Sequence, residues 1–350
     1  MDTNRLIEVG ARLRESGGLR RAALECFQFL TRDKAYGEWA GGAAQRRPFV
    51  LPLREAALLA QCGLAAKNGE LAVRANLHRG RLFLTDGVWV DPNHRVFPFC
   101  DESEELLALA EHLGWTRRAT CVVDLAGGCG HTAWSLDQPR QVLFDVNPRA
   151  LAYAELNKIL NGLDADRYEA IANNIHGGIP RAVADRLEGD VLLLANMPFG
   201  PAPAAGMLPQ TSDGGEAGMR LQRATFAALR ELAVHTRGRA RMRALVMGLS
   251  LGDSASNRWM LHDEAGAQFG EERVSWHTCA SPLLRIDGRR AMANPSPAGI
   301  ALPAIADCTL YHNGPDRRAA VRKLWEATAQ KHAAGGHPDL AYGIVALELA

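Results

Sequence analysis

Four apolar runs, CVVDLA, QVLFDV, DVLLLAN and ALVMGLSL, recur between residues 121 and 251, each too short for a core helix and each separated from the next by segments with helical spacing. Strands buried on both faces read as unbroken apolar runs, and strands joined through helices run parallel to one another. The pattern predicts an α/β domain with a parallel sheet covered on both faces, opening near residue 104 with the helix LLALAEHLG. Farther on, RVSWHT, ADCTLYHN and AYGIVALEL read as additional strands, with a helix over 317–334 between the last two.

The first hundred residues have a different pattern. Apolar positions at helical spacing from Leu6 to Phe27 predict helices broken at Gly17-Gly18, and Gly41-Gly42 and Pro48 mark a loop. A helix ending near Gly63 precedes strands at 71–77 and 81–85, and Asp86-Gly87 reads as a two-residue hairpin turn into 88–90. Helices followed by a small hairpin predict a winged-helix-like N-terminal domain over 1–103, ahead of a core over 104–350. Such modules bind DNA or serve as a structural base; a structural role, with a homodimer contact through this domain, is the expectation.

Charge bears on that choice. Forty Lys and Arg against thirty-nine Asp and Glu leave a formal net charge of +1, whereas proteins that live on a phosphate backbone carry a basic excess or stripe. Nucleic acid is therefore disfavoured. The local clusters Arg46-Arg47, Arg237/Arg239/Arg241/Arg243 and Arg317-Arg318 read as solvated loops and helix ends. Seven scattered cysteines with no C-x-x-C pair point to reduced thiols in the cytoplasm, and neither a leader pattern nor a membrane-spanning run is present in the sequence. The eleven histidines show no metal-ligand spacing, so no metal is expected.

The chemistry-bearing residues fall at the ends of the predicted strands. After CVVD come Ala126, Gly127, Gly128 and Gly130, and glycines let a backbone turn tightly and approach a ligand. Asp145 ends the next strand, where a carboxylate can accept from both ribose hydroxyls or cap the helix that Asn147-Pro148 opens. Asn173-Asn174 follows the third strand and Asn196-Met197-Pro198-Phe199 the fourth.

In this order the motifs resemble those of class I S-adenosylmethionine-dependent methyltransferases, whose fold is a Rossmann-like sheet. Asp124–Gly130 stands where that family has D-x-G-x-G-x-G, Asp145 where it has the ribose acid, and Asn196–Phe199 where amino-methylating members have N/D-P-P-Y/F. The run SDGGEAGMRL (Ser212–Leu221) is similar to one found in the release-factor glutamine methyltransferase group. The resemblance implies S-adenosylmethionine as cofactor, bound by Asp124, Ala126, Gly128, Gly130, Asp145, Asn174 and Asn196. It implies catalytic roles for Asn196, Pro198 and Phe199: the Asn oxygen and the Met197 carbonyl accept the N–H bonds of a target nitrogen while the ring covers it. Three departures stand out. Ala126 replaces a glycine, Asn174, or Asn173, replaces an Asp at the adenine position, and Met197 replaces a proline, as an aliphatic residue does in ribosomal-RNA adenine dimethyltransferases.

The expected reaction is N-methylation of a small metabolite or natural-product intermediate. Alternatives from the same motifs are a cyclase or lyase releasing methylthioadenosine, or methylation of a protein glutamine or a nucleobase; a DNA-binding sensor of the cofactor is a third class. His131 reads as a helix-start residue. Pro98, Asp101 and Glu102 border the pocket or, with Ser103, cap the helix that follows. Trp259, Trp276, His277 and Tyr311 fall in an insertion expected to form a lid over the acceptor.

Overall fold

The computed structural model describes residues 11–15, 57, 73–86, 95–96, 101–204, 207–281, 284–286, 290–309 and 315–349. The hairpin strands are β1 (Val73–His78) and β2 (Arg81–Asp86). Then come α1 (Asp101–His112), α2 (Trp115–Arg118), β3 (Cys121–Asp124), β4 (Arg140–Asp145), α3 (Pro148–Leu160), β5 (Tyr168–Ala172), α4 (Arg181–Ala184) and β6 (Gly189–Ala195). The chain continues through α5 (Arg220–His235), β7 (Ala240–Asp253), β8 (Arg258–Trp259), α6 (Met260–Phe269), β9 (Val274–Thr278), β10 (Leu284–Ile286) and β11 (Arg290–Met292). It closes with β12 (Ser296–Pro297), α7 (Ala298–Thr309), α8 (Pro315–Ala334) and β13 (Asp339–Leu349).

Successive side chains of the central strands go to opposite faces, and both faces are apolar, as a doubly covered sheet requires. Val123, Phe144, Leu193 and Val246 pack with Phe226 and Leu229 of α5 and Leu261 and Ala265 of α6. Their neighbours Val122, Leu143, Leu192, Leu194 and Leu245 pack on the other face with Leu106, Leu107 and Ala110 of α1 and Ala154 of α3. The α/β expectation is met, with parallel pairing from β5 through β4, β3 and β6 to β7. Strand β13 is antiparallel to both β7 and β9, so the full order is β12-β13-β7-β6-β3-β4-β5 with β9 on β13 and β8 on β7. The chain runs outward from β3 to β5, then returns to β6 on the opposite side of β3. The crevice beyond the carboxyl ends of β3 and β6 is thus a topological switch point, where open α/β sheets bind ligands.

Two sequence expectations are corrected, one in α7 and one after the glycine turn, while the β1–β2 connection falls between the two expected strands. The hairpin turns at Arg79-Gly80, both at positive φ (46° and 77°), as a two-residue turn demands. Asp86 is the last residue of β2 and its carboxylate is fully buried; the turn expected from Asp86-Gly87 continues outside the described residues. ADCTLYHN is helical as far as Thr309, because α7 carries its apolar residues Ala301, Leu302 and Ile305 into a cluster with Trp325 of α8. No full helix follows the glycine turn: only a single 3-10 turn, Ala133–Ser135, fits before Pro139 and β4. Most of the predicted N-terminal helices, the 88–90 strand and Pro98 lie outside the described residues, as does Tyr311. Among the described residues no helix is long and apolar enough to cross a membrane.

The hairpin is held to the core by side-chain amides. Asn157 of α3 and Asn161, which caps its C-terminus one turn later, each accept from one β2 backbone N–H and donate to the same residue's carbonyl: Leu84 for Asn157, Leu82 for Asn161. Two residues of strand and four of helix advance the chain by similar lengths, about 6–7 Å, so the two amides meet alternate strand residues. Asp86 completes the joint, accepting from the Arg149 guanidinium, the Tyr153 hydroxyl (2.8 Å) and the Val96 N–H (2.8 Å). Removing one partner of a buried, hydrogen-bonded ion pair strands the other, so Asp86→Ala is expected to cost about 3–5 kcal/mol of stability. Urea unfolding checks this; a loss under about 0.5 kcal/mol, typical of surface positions, would contradict the joint.

Candidate active site

The candidate residues converge at the switch point because the parallel register puts the strand ends side by side. Asp124 of β3 pairs with Leu194 of β6 and Leu143 of β4, so the chain leaves β3, β4 and β6 within a few ångströms of one level. The glycine turn then takes its shape from three constraints. The Gly127 N–H donates to Phe144 O at 2.9 Å, and a Cβ on Gly127 would lie 2.2 Å from Leu143. Gly128 and Gly130 have φ of 55° and 88°, the left-handed region, and Gly130 lies flat against Trp134. Ala126 is outside that region, so the extra methyl costs the turn nothing; its N–H donates to Asp124 Oδ1 at 3.3 Å.

Two carboxylates organise the turn from either side. Asp145 accepts from Gly128 N–H through Oδ2 (2.9 Å) and from Asn147 N–H through Oδ1 (2.8 Å), so it both ties the turn and supports the start of α3. Asn147 itself caps α3, accepting from Arg149 N–H with Pro148 at the first helical position. Burial raises the Asp145 pKa, and the backbone N–H groups of Asn147, Gly128 and Val146 pull it back. Asp124 is more extreme: fully enclosed, it is pushed up to about 7 by burial and by the negative charge of Asp145, against the pull of the Ala126 and Ala133 N–H groups, and its Oδ2 makes no hydrogen bond of full geometry. A buried carboxylate oxygen without a well-aligned donor is a place built for one to arrive.

Beyond β6, Asn196 Nδ2 donates to Ser103 Oγ at 3.3 Å, and Oδ1 has no hydrogen bond among the described residues. Ser103 lies inside α1 and is buried, so it orients the Asn196 amide where the sequence suggested a helix cap. Nothing in the local pattern signals this contact, which joins residues 93 apart. Met197 is buried in the core among Met219 and Phe226, so packing supplies the stiffness that a proline ring would have given. Phe199 stands edge-to-face on Tyr342 of β13, with ring centroids 5.7 Å apart. The SDGGEAGMRL run presses on it from behind: Cβ atoms on Gly214 and Gly218 would fall 2.7 Å from Phe199 Cα and 2.4 Å from Phe199 O. Gly214 N–H donates to Gly200 O, and Gly200 N–H to Ser212 O, closing the loop.

Other expected site residues have local duties. Asn174 caps the Ile175–Gly177 turn by accepting from His176 N–H at 3.1 Å, and Asn173 donates to Gly178 O. His131 is buried against Phe83, and burial with the neighbouring His78 charge pushes it down to about 3, so it is a neutral packing residue. Trp259 and Trp276 form no lid: they stack at 5.6 Å, and Trp276 lies under Gly343 of β13.

No protein-family model matches the chain, and no curated protein matches it. Solved structures with a similar fold include an S-adenosylmethionine-dependent methyltransferase from Agrobacterium tumefaciens (12% identity, 80% of this chain and 71% of that one, TM-score 0.42). They also include YjhP from E. coli (14%, 74% and 97%, TM-score 0.37) and the [4+2]-cyclase SpnF (13%, 70% and 80%, TM-score 0.37). At these identities and scores, a special closeness to the glutamine methyltransferases is not among the findings, and the chemistry rests on this chain's own residues.

The state of Asp124 gives a pH test. Its folded pKa of about 7 lies above the ordinary carboxylate value near 4, so the folded protein holds a proton that the unfolded chain releases, and this contribution is lost as pH rises from about 4 to about 7. Asp124→Asn is expected to gain stability relative to wild type across that window and to level off above it. Thermal midpoints of the ligand-free pair at several pH values check this; a constant difference would show an unperturbed carboxylate.

Proposed function

We propose that this protein is an S-adenosylmethionine-dependent N-methyltransferase acting on a small metabolite. The observation that carries the reading is Asn196 at the carboxyl end of β6, its amide turned by Ser103 so that Oδ1 is open, beside the glycine turn at the sheet's switch point. The fit to the cofactor is favourable on two counts. Each Asp145 oxygen has a lone pair left for a ribose hydroxyl after serving Gly128 and Asn147. The buried Asp124 Oδ2 lacks a well-aligned donor, which a cationic amino group supplies, drawing the carboxyl back to its ionised form.

When bound, S-adenosylmethionine supplies a methyl group on a positively charged, already electrophilic sulfonium. The protein's share is positioning and exclusion of water. Asn196 Oδ1 and the Met197 carbonyl accept the two N–H bonds of the acceptor nitrogen, which points its lone pair toward the methyl. Phe199, fixed by Tyr342 and the glycine run, covers the acceptor's face. Asn174 keeps one acceptor lone pair for an adenine amino group while it caps its turn. The near-zero net charge favours a small acceptor over a polyanion.

Mass spectrometry of the protein with S-adenosylmethionine, alone and with cell extract, tests the reading. S-adenosylhomocysteine formed only with extract is the expected result; methylthioadenosine formed without extract would replace methyl transfer by cyclase or lyase chemistry. Asn196→Ala is expected to slow turnover by about 10- to 100-fold, the worth of one or two oriented hydrogen bonds, with cofactor affinity retained. Asp145→Ala is expected to weaken cofactor binding by about tenfold or more in calorimetry, since it removes both ribose acceptors and the support of the turn. Unchanged turnover in the first variant would remove Asn196 from its role.

A further inference from the structure

A cavity with a volume of about 750 Å³ opens at the end of the sheet opposite the candidate active site. Its walls come from the start of β7 (Arg241, Met242, Arg243), the start of β9, the end of β13 and the short helix α2 with Trp115 and Arg118. Met242 precedes Val246, the partner of Ala195 at the candidate active site, by four strand residues, roughly 13 Å along the ladder. The two sites therefore lie at opposite ends of the same strands.

The lining is basic and centred on one buried side chain. Arg243 is only 3% exposed; its Nη1 donates to Asp190 at 3.0 Å, its guanidinium lies over the Trp115 ring, and its Nη2 has no hydrogen-bond partner. A buried guanidinium nitrogen without an acceptor is costly, and an oxyanion in the cavity would remove the cost. Around it stand Arg118, Arg241 and Arg273, all exposed. The acidic residues of the lining hold their partners loosely: Glu348 is 3.7 Å from Arg241 and Glu272 3.6 Å from Arg273, beyond hydrogen-bond length. Pairs of this kind at the surface contribute little and yield to a better-placed anion.

We infer that this cavity binds the phosphate group of a small phosphate monoester, with Arg243 Nη2 as the buried anchor and Arg118 and Arg273 as the outer clamp. Planar guanidinium groups lining one cavity from a helix, a strand and the turn before β9 suit a tetrahedral dianion with several acceptor oxygens, and the volume exceeds what phosphate alone fills. The sequence cluster Arg241/Arg243, read at first as solvated surface, thus has one member at the surface and one in the wall of a pocket.

The site is independent of the methyltransferase reading and can be tested on the ligand-free protein. Inorganic phosphate and phenyl phosphate, titrated by calorimetry against a sodium chloride control of equal ionic strength, are expected to bind saturably at one site, phenyl phosphate more tightly. Affinity is expected to fall at least about tenfold in the double variant Arg118→Gln/Arg273→Gln, whose residues are exposed and leave the core intact, and in Arg243→Lys, which keeps the charge beside Asp190 but loses the second planar nitrogen. S-adenosylhomocysteine is expected to leave phosphate binding unchanged. Heat matched by sodium chloride, affinity unaltered in both variants, or loss of binding on adding S-adenosylhomocysteine would each overturn the assignment.

Discussion

The parallel ladder between β3 and β6 is the contact on which the rest of the molecule depends. It joins the first strand of the sheet to the fourth in chain order, and it is the point where the direction of winding reverses. The residues proposed to orient cofactor and acceptor around the methyl group then hang from strand ends that this ladder and its neighbours align: the glycine turn from β3, Asp145 from β4 and Asn196 from β6. A slip of one residue would send Leu193 and Leu194 to each other's faces and carry Asn196 away from the turn. The apolar cores on the two faces hold the register, so the site's geometry is a by-product of core packing.

The tetrapeptide shows how one function can rest on different physical supports. A proline after the asparagine would stiffen the loop through its ring; here Met197 does it by burial, and the two glycines behind Phe199 do it by closeness. Phe199 is gripped from three sides, by Tyr342, by Gly214 and by Gly218. The loop is therefore preorganised by tertiary contacts, and its rigidity depends on residues up to 143 positions away, as the Tyr342 pairing shows.

What the sequence disclosed follows from how local each signal is. The strands at Cys121–Asp124, Arg140–Asp145, Gly189–Ala195 and Ala240–Asp253 are plain in the apolar runs because burial on both faces leaves no other composition open. The candidate site residues were legible for the same reason, since each sits at the end of such a run. Ser103 was not, because an orienting hydrogen bond across distant segments leaves no mark on spacing. The role of Asp86 was not legible either, because its partners Arg149 and Tyr153 lie far along the chain. Residues 306–309 contain β-branched and small residues that fit a strand, yet packing of α7 on α8 draws them into a helix.

Asn157 has one more bond than the hairpin joint requires: its amide also donates to the carbonyl of Cys129, in the middle of the glycine turn. A single planar group thus touches the hairpin and the proposed cofactor loop at once, and the two cannot shift independently without breaking one of its bonds. Coupling of this kind is reciprocal, so whatever tightens the turn also tightens the hairpin by the same free energy, and a partner resting on β2 would be felt at the turn. The hairpin is in effect a lever whose fulcrum is one asparagine.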